Sequence, residues 1–214
     1  GILADDMGLG KSLEVISLLK SCRTKNPNLI VAPASLTYNW FNEFNKWAPN
    51  MKVSLVTGNG ASREKLLSQI EPGQIIITSY DYLKRDLDIY KKMGFHFLII
   101  DEAQAIKNYQ SMMSQEIKKI KARTKIALTG TPLENSVLEL WSIFDFINKG
   151  YLGTLRNFQK SYSTPIEKFK EYTRASRLKL AVSPFILRRL KTDKTVIADL
   201  PEKMVLDDYC YLTK

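Results

Sequence analysis

The chain has 214 residues, 44% hydrophobic and 10% aromatic, which suits a folded globular unit with one substantial core. No apolar run approaches the ~20 residues of a membrane-spanning helix, and Cys22 and Cys210 have no metal-ligand spacing and read as reduced thiols. A formal net charge of +10 favours a polyanionic partner over a neutral one.

Ile2-Leu3-Ala4 reads as a short apolar strand that runs into Asp5-Asp6-Met7-Gly8-Leu9-Gly10-Lys11-Ser12 and then a helical pattern from Leu13 to Leu19. Gly-x-Gly-Lys-Ser between strand and helix is a phosphate-binding loop. Small residues let backbone N–H groups turn in around a polyphosphate, the lysine reaches its outer phosphates, and the serine hydroxyl suits Mg²⁺. Asp5 stands where the strict Walker A pattern has glycine. No basic start or cleavage site precedes the loop, so no signal peptide is expected, and the abrupt opening predicts a piece of a longer intracellular protein.

Leu29 to Pro33 reads as a buried strand, followed by a helix through Trp40, Phe44 and Trp47, whose spacing suits core packing better than base stacking. Strands are expected at Met51–Val56, Gln74–Thr78, Phe97–Ile100 and Ile126–Leu128, with a helix near Arg63–Gln69. Strands alternating with helices predict an α/β fold, a mainly parallel sheet between helices. Ligands of such sheets sit beyond the carboxyl ends of the strands.

Two of those ends carry chemistry. Phe97-Leu98-Ile99-Ile100-Asp101-Glu102-Ala103-Gln104 is an apolar strand ending in paired carboxylates, the Walker B arrangement. Asp101 would hold Mg²⁺, largely through water, and Glu102 would orient a water against a γ-phosphate. Ala127-Leu128-Thr129-Gly130-Thr131-Pro132 also follows a strand; its two hydroxyls suit a loop that bonds to the carboxylate loop.

Beyond Asn148-Lys149-Gly150 the pattern turns helical, charged and aromatic from about Leu155 to Ala181, with a break expected at Thr164-Pro165. Eleven Lys/Arg residues against three acids lie between Arg156 and Lys194, and a second basic cluster runs from Lys118 to Lys125. Arg188-Arg189 reads equally as a phosphate contact, an interdomain element or a solvated pair. Leu200-Pro201 precedes an expected final strand, Met204–Leu212, and the lone His96 has no metal partners in view.

In this order the segments resemble the first RecA-like lobe of a Swi/Snf-type ATPase, within the helicase-like superfamily two. Ala4 to Ser12 resembles motif I, which accounts for Asp5. Leu29 to Pro33 with Ser35, Leu36 and Trp40 resembles motif Ia, and Ile77-Thr78-Ser79-Tyr80 motif Ib. Asp101 to Gln104 resembles motif II, with Gln104 where many members have histidine, and Leu128 to Asn135 resembles motif III. Glu139 to Phe146, Phe185 to Arg189 and Asp199 to Lys203 extend the likeness over the whole chain.

The resemblance implies a RecA-like P-loop NTPase lobe over residues 1–149, a small helical protrusion over 150–184, and a return segment over 185–214 leading to a second lobe. It implies ATP and Mg²⁺. Asp6, Met7, Gly8, Leu9, Gly10, Lys11 and Ser12 would bind nucleotide, Lys11, Asp101 and Glu102 would support hydrolysis, and Ser12 and Asp101 would hold the metal. Gln104, Thr129, Gly130 and Thr131 would couple hydrolysis to movement. Pro33, Ser35, Trp40, Thr78, Ser79, Tyr80, Lys107, Asn108, Arg188 and Arg189 would meet duplex DNA, mainly at its backbone. Further implied partners are the second RecA-like lobe of the same protein, whose arginines complete the site, and DNA-bound proteins; no membrane partner is implied. A chain without that lobe is expected to be nearly inactive. Two other readings are weighed: within enzymes, a strand-separating helicase or RNA-dependent ATPase of the same superfamily, and, from another class, a nucleotide-independent module that docks DNA or protein.

Overall fold

Leu29–Ala32 and Ile75–Ile77 are apolar at every position and so have no outward face to show water; all are fully buried in a parallel sheet. The computed structural model describes residues 1–130 and 136–193. In chain order the first half contains β1 (Ile2–Leu3), α1 (Lys11–Ser21), β2 (Asn28–Ala32), α2 (Ala34–Trp47), β3 (Val53–Leu55), α3 (Gly60–Ser68), β4 (Ile75–Ser79), α4 (Tyr80–Arg85), α5 (Leu87–Lys92) and β5 (Gly94–Ile100). A 3₁₀ turn at Ala103–Ile106 leads to α6 (Met112–Ile117), β6 (Lys121–Leu128) and α7 (Val137–Ile147). The remainder is α8 (Leu155–Phe158), α9 (Thr164–Glu167), α10 (Tyr172–Val182) and β7 (Ile186–Leu187).

The seven strands are ordered β3-β4-β2-β5-β6-β1-β7 and every pairing is parallel. Alternation along each strand divides the core into two. Leu29, Val31, Ile76, Leu98 and Ile100 share one cluster with Leu83 of α4, Tyr90 of α5 and Phe144 of α7. Ile30, Ala32, Ile75, Ile77 and Ile99 face the other way, onto Val15, Leu19, Trp40 and Phe44 of α1 and α2. Because all strands run in one direction, the segments after β1, β2, β4, β5 and β6 emerge along one edge, where the sequence motifs lie.

Three expectations change. Trp47 does not join Trp40 and Phe44 in the core: it is 43% exposed, and its indole N–H donates to Glu43. Thr164-Pro165 does not break the helical run. Pro165 occupies the first turn of α9, where a missing N–H costs nothing, and a π-turn over Gln159–Ser163 widens the helix ahead of its ring. The break falls instead over residues 168–171, with Lys170 in the left-handed region at φ 54. Ile186–Leu187, not read as a strand from the sequence, pairs with β1. Thr131 and the strand expected at Met204–Leu212 lie outside the described residues. Among those described, no helix is long and apolar enough to cross a membrane.

Candidate nucleotide site

Gly8 and Gly10 sit at φ 85 and 83, a region costly for residues with a Cβ, so the turn into α1 depends on both glycines. The turn brings Lys11 back over the loop: its Nζ donates to the carbonyl oxygens of Asp5 at 2.8 Å and Asp6 at 3.3 Å. An ammonium held on backbone carbonyls is placed to exchange them for phosphate oxygens. Ser12 follows in the first turn of α1, an eleven-residue helix whose positive end faces the same space.

Opposite stands the carboxylate pair at the end of β5. Trp40 Nε1 donates to Asp101 Oδ2 at 2.8 Å, the Glu102 backbone N–H donates to Asp101 Oδ1 at 2.9 Å, and the Tyr80 hydroxyl donates to the Asp101 carbonyl at 2.8 Å. Burial pushes the Asp101 carboxyl above its ordinary range; the bonds from Trp40 and the Glu102 N–H oppose that shift. Tyr80 is likewise pushed up, by burial first and then by the charges of Asp101 and Glu102, and stays a donor. Glu102 adopts φ 52, a left-handed kink that ends the strand and turns its side chain toward Gln104, whose Nε2 donates to Glu102 Oε2 at 2.6 Å. The Thr129 hydroxyl donates to Gln104 Oε1 across a longer 3.4 Å. A carboxylate from β5 is thereby linked through one amide to the end of β6.

Phosphate loop and carboxylates share an open cleft of about 740 Å³, lined by Gly8, Lys11, Ser12, Trp40, Asp101 and Glu102 among others. Lys11 brings an ammonium and Ser12 a hydroxyl to the loop wall, Asp101 and Glu102 bring carboxylates to the other, and Lys46 and Glu43 of α2 line the cleft as well. That set fits a magnesium nucleotide. Mg²⁺ is commonly held by one or two carboxylates with substrate phosphates and water, not by an all-protein cage. Among the described residues no group of three His, Cys, Asp or Glu forms such a cage.

The residues expected at DNA are divided by their environments. Ser35 and Asn108 are exposed and Pro33 half-buried along the carboxyl edge of the sheet. Lys107 is 8% exposed and pairs with Glu139 at 3.4 Å. Ser79 caps α4 by accepting from the Tyr82 N–H, and Thr78 is fully buried in β4. Trp40, 2% exposed, reaches Asp101 from the core and shows no face to a passing strand. Arg188 is exposed, whereas the Arg189 guanidinium is bonded to Asp5 and Glu14.

The sequence marked Asp5 as a departure but gave it no role, and it gave none to Glu14, nor to Glu43 and Lys46, which line the cleft. Asp5 is fully buried, accepts from the Arg189 backbone N–H at 2.7 Å and from Arg189 Nε at 2.8 Å, and pairs with Arg189 Nη2. Its departure from the Walker pattern was the visible signal; its partner, 184 residues away, had none.

A parallel sheet with a phosphate loop and a carboxylate pair on one edge defines the core of a nucleotide-dependent ATPase. A family model described as the SNF2-related domain matches residues 1–214, and the chain belongs to that family, an ATP-dependent helicase/translocase family. It is 40% identical over 238 residues to the TATA-binding protein-associated factor MOT1 of Saccharomyces cerevisiae, covering 99% of this chain and 13% of MOT1. It is 42% identical over 207 residues to the putative ATP-dependent helicase/translocase YwqA of Bacillus subtilis, covering 94% of this chain and 22% of YwqA. Among solved structures, the Sulfolobus solfataricus SWI2/SNF2 ATPase core in complex with double-stranded DNA superposes with TM-score 0.82 at 41% identity, over 94% of this chain and 42% of that one. The chain thus spans under a quarter of the length of these two curated relatives.

Proposed function

We propose that this chain is the ATP-binding lobe of a motor that hydrolyses ATP while moving along duplex DNA without separating its strands. The observation that carries the reading is the cleft itself, with Lys11 and Ser12 on one wall and Asp101 and Glu102 on the other. In the reaction a water oxygen bonds to the γ-phosphorus as the bridging bond to ADP breaks, yielding ADP and phosphate. Glu102 orients that water, Lys11 offsets charge gathering on the γ-phosphoryl oxygens, and Ser12 and Asp101 are the residues that would hold Mg²⁺, largely through water. Mg²⁺, when bound, supplies charge neutralisation at the β- and γ-phosphates.

Gln104 ties Glu102 to Thr129, and this bridge couples the state of the nucleotide to the loop after β6, with Gly130 and Thr131 as its continuation. Ser35, Asn108 and Arg188 supply backbone contacts to one DNA strand, a sequence-independent and salt-sensitive form of binding. The residues at 150–184 form a helical protrusion on the 1–149 lobe, and 185–214 leads toward a second lobe that provides arginines across the cleft. Without such a trans arginine, turnover in related NTPases falls by ~10³–10⁵-fold, so this lobe alone is nearly inactive. The protein acts inside the cell, where ATP and DNA meet.

The test is ATP turnover by the full-length protein with no nucleic acid, duplex DNA, single-stranded DNA or RNA. Selective stimulation by duplex DNA that disappears in Glu102→Gln is the expected result. Preference for RNA or single strands would transfer the site to a helicase, and turnover unchanged by Lys11→Ala would leave a binding module.

A further inference from the structure

The phosphate loop is held from outside its own strand. Ala4 N–H donates to the Leu187 carbonyl at 2.7 Å and Asp6 N–H to the Arg189 carbonyl at 3.1 Å, while Lys191 N–H donates to Asp6 Oδ2 at 3.0 Å. Between these backbone ties the Arg189 side chain reaches Asp5 and Glu14. β7 itself is two residues long and pairs with β1, so its ladder alone is too short to fix the register of a loop.

Asp5 creates an electrostatic difficulty that Arg189 resolves. A fully buried carboxylate lies directly beneath a loop that binds polyphosphate. Unpaired, it would repel the ligand and seek water, opening the turn. Arg189 supplies the matching cation in a forked geometry that lysine does not reproduce, and its bonds to Asp5 and then Glu14 hold the guanidinium firmly protonated. The fork is spent on these two carboxylates and does not line the nucleotide cleft.

We infer that Arg189 is a positioning residue for nucleotide binding: by holding Asp5 from the adjacent strand, it sets the phosphate loop that Lys11 and Ser12 complete. This rests on the ATP-binding reading above. It makes Arg189 part of the nucleotide machinery and leaves DNA contact to its exposed neighbour Arg188.

The experiment is steady-state ATP hydrolysis by the full-length protein at saturating duplex DNA, with ATP varied. Arg189→Gln is expected to raise KM for ATP about tenfold or more while kcat stays within about threefold, because the loop binds less well but the reacting groups are untouched. Arg189→Lys, keeping charge without the fork, falls between. The neutral pair Asp5→Asn with Arg189→Gln removes the buried charge and recovers most of the lost KM; it also covers the case in which the single variant does not fold. A KM within about twofold of the parent in Arg189→Gln, or a double variant no better than the single one, would overturn the inference. Lys11→Ala separates the two levels. Full turnover in that variant sinks the ATP-site reading itself, whereas a dead Lys11→Ala beside a normal KM in Arg189→Gln sinks the role of Arg189 alone.

Discussion

Trp40 donates its indole N–H to Asp101 Oδ2 at 2.8 Å, so a core residue of α2 orients the carboxylate that ends β5. The bond favours the ionised carboxylate and opposes the upward shift that burial imposes on Asp101. Trp40→Phe keeps an aromatic ring in the core and removes the donor. The expected outcome is an acid limb of kcat/KM displaced further toward neutral pH, since Asp101 then protonates earlier as pH falls. A pH–rate profile checks it, together with a loss of about 1–3 kcal/mol in stability for a hydrogen bond to a charged group.

Gln104 bonds to Glu102 with its amide N–H and accepts from Thr129 with its oxygen, which makes it a two-sided connector. Gln104→Ala should leave nucleotide binding intact and reduce the stimulation of turnover by duplex DNA by about fivefold or more, the lower end of usual coupling energies. Parallel assays with and without DNA read the ratio directly. An equal fall in both would assign Gln104 to chemistry instead of coupling.

Arg63 on α3 and Asp86 after α4 form a buried pair, with side chains 6% and 9% exposed and bonds of 2.6 and 2.9 Å. The guanidinium also donates to the Gly58 carbonyl and lies over the Tyr82 ring. Arg63→Ala leaves Asp86 charged and unpaired, which costs roughly 3–5 kcal/mol. Thermal or denaturant unfolding should show that loss, while KM for ATP in the folded fraction stays unchanged because neither residue lines the cleft.

Lys125 on β6 is pushed down from 10.5 to about 8 by burial first, then by the charge of Lys149, with Asp145 opposing. Below its folded value the ammonium is protonated in both folded and unfolded chains, and its burial is a constant cost. Between about 8 and 10.5 the folded chain releases its proton first, so the contribution of this group to stability rises with pH and then levels off. Denaturation of the parent and of Lys125→Met across this window should show the pH-dependent rise in the parent and its reduction in the variant.

Much of the fold was legible because its signals are local. A strand buried on both faces must be apolar throughout, so β2, β4 and β5 stand out in the sequence, and a phosphate loop needs glycines and a lysine within five residues. The ends of these strands were legible for the same reason, and with them Lys11, Asp101 and Glu102. Short β7 was not, since two paired residues leave no periodicity to read.

What the sequence by itself determined was therefore the longer buried strands, the loop and the carboxylate pair: features whose physics closes within one turn or one strand. Strand order, the commitment of Trp40 to Asp101 across 61 residues and of Arg189 to Asp5 across 184 were decided by the tertiary structure. A tryptophan on an apolar helix face is equally suited to packing or to donating, and an arginine beside an arginine equally to solvent or to a buried acid. Only the packed sheet, which brings β7 against β1 and α2 over the end of β5, supplies the partner that settles each.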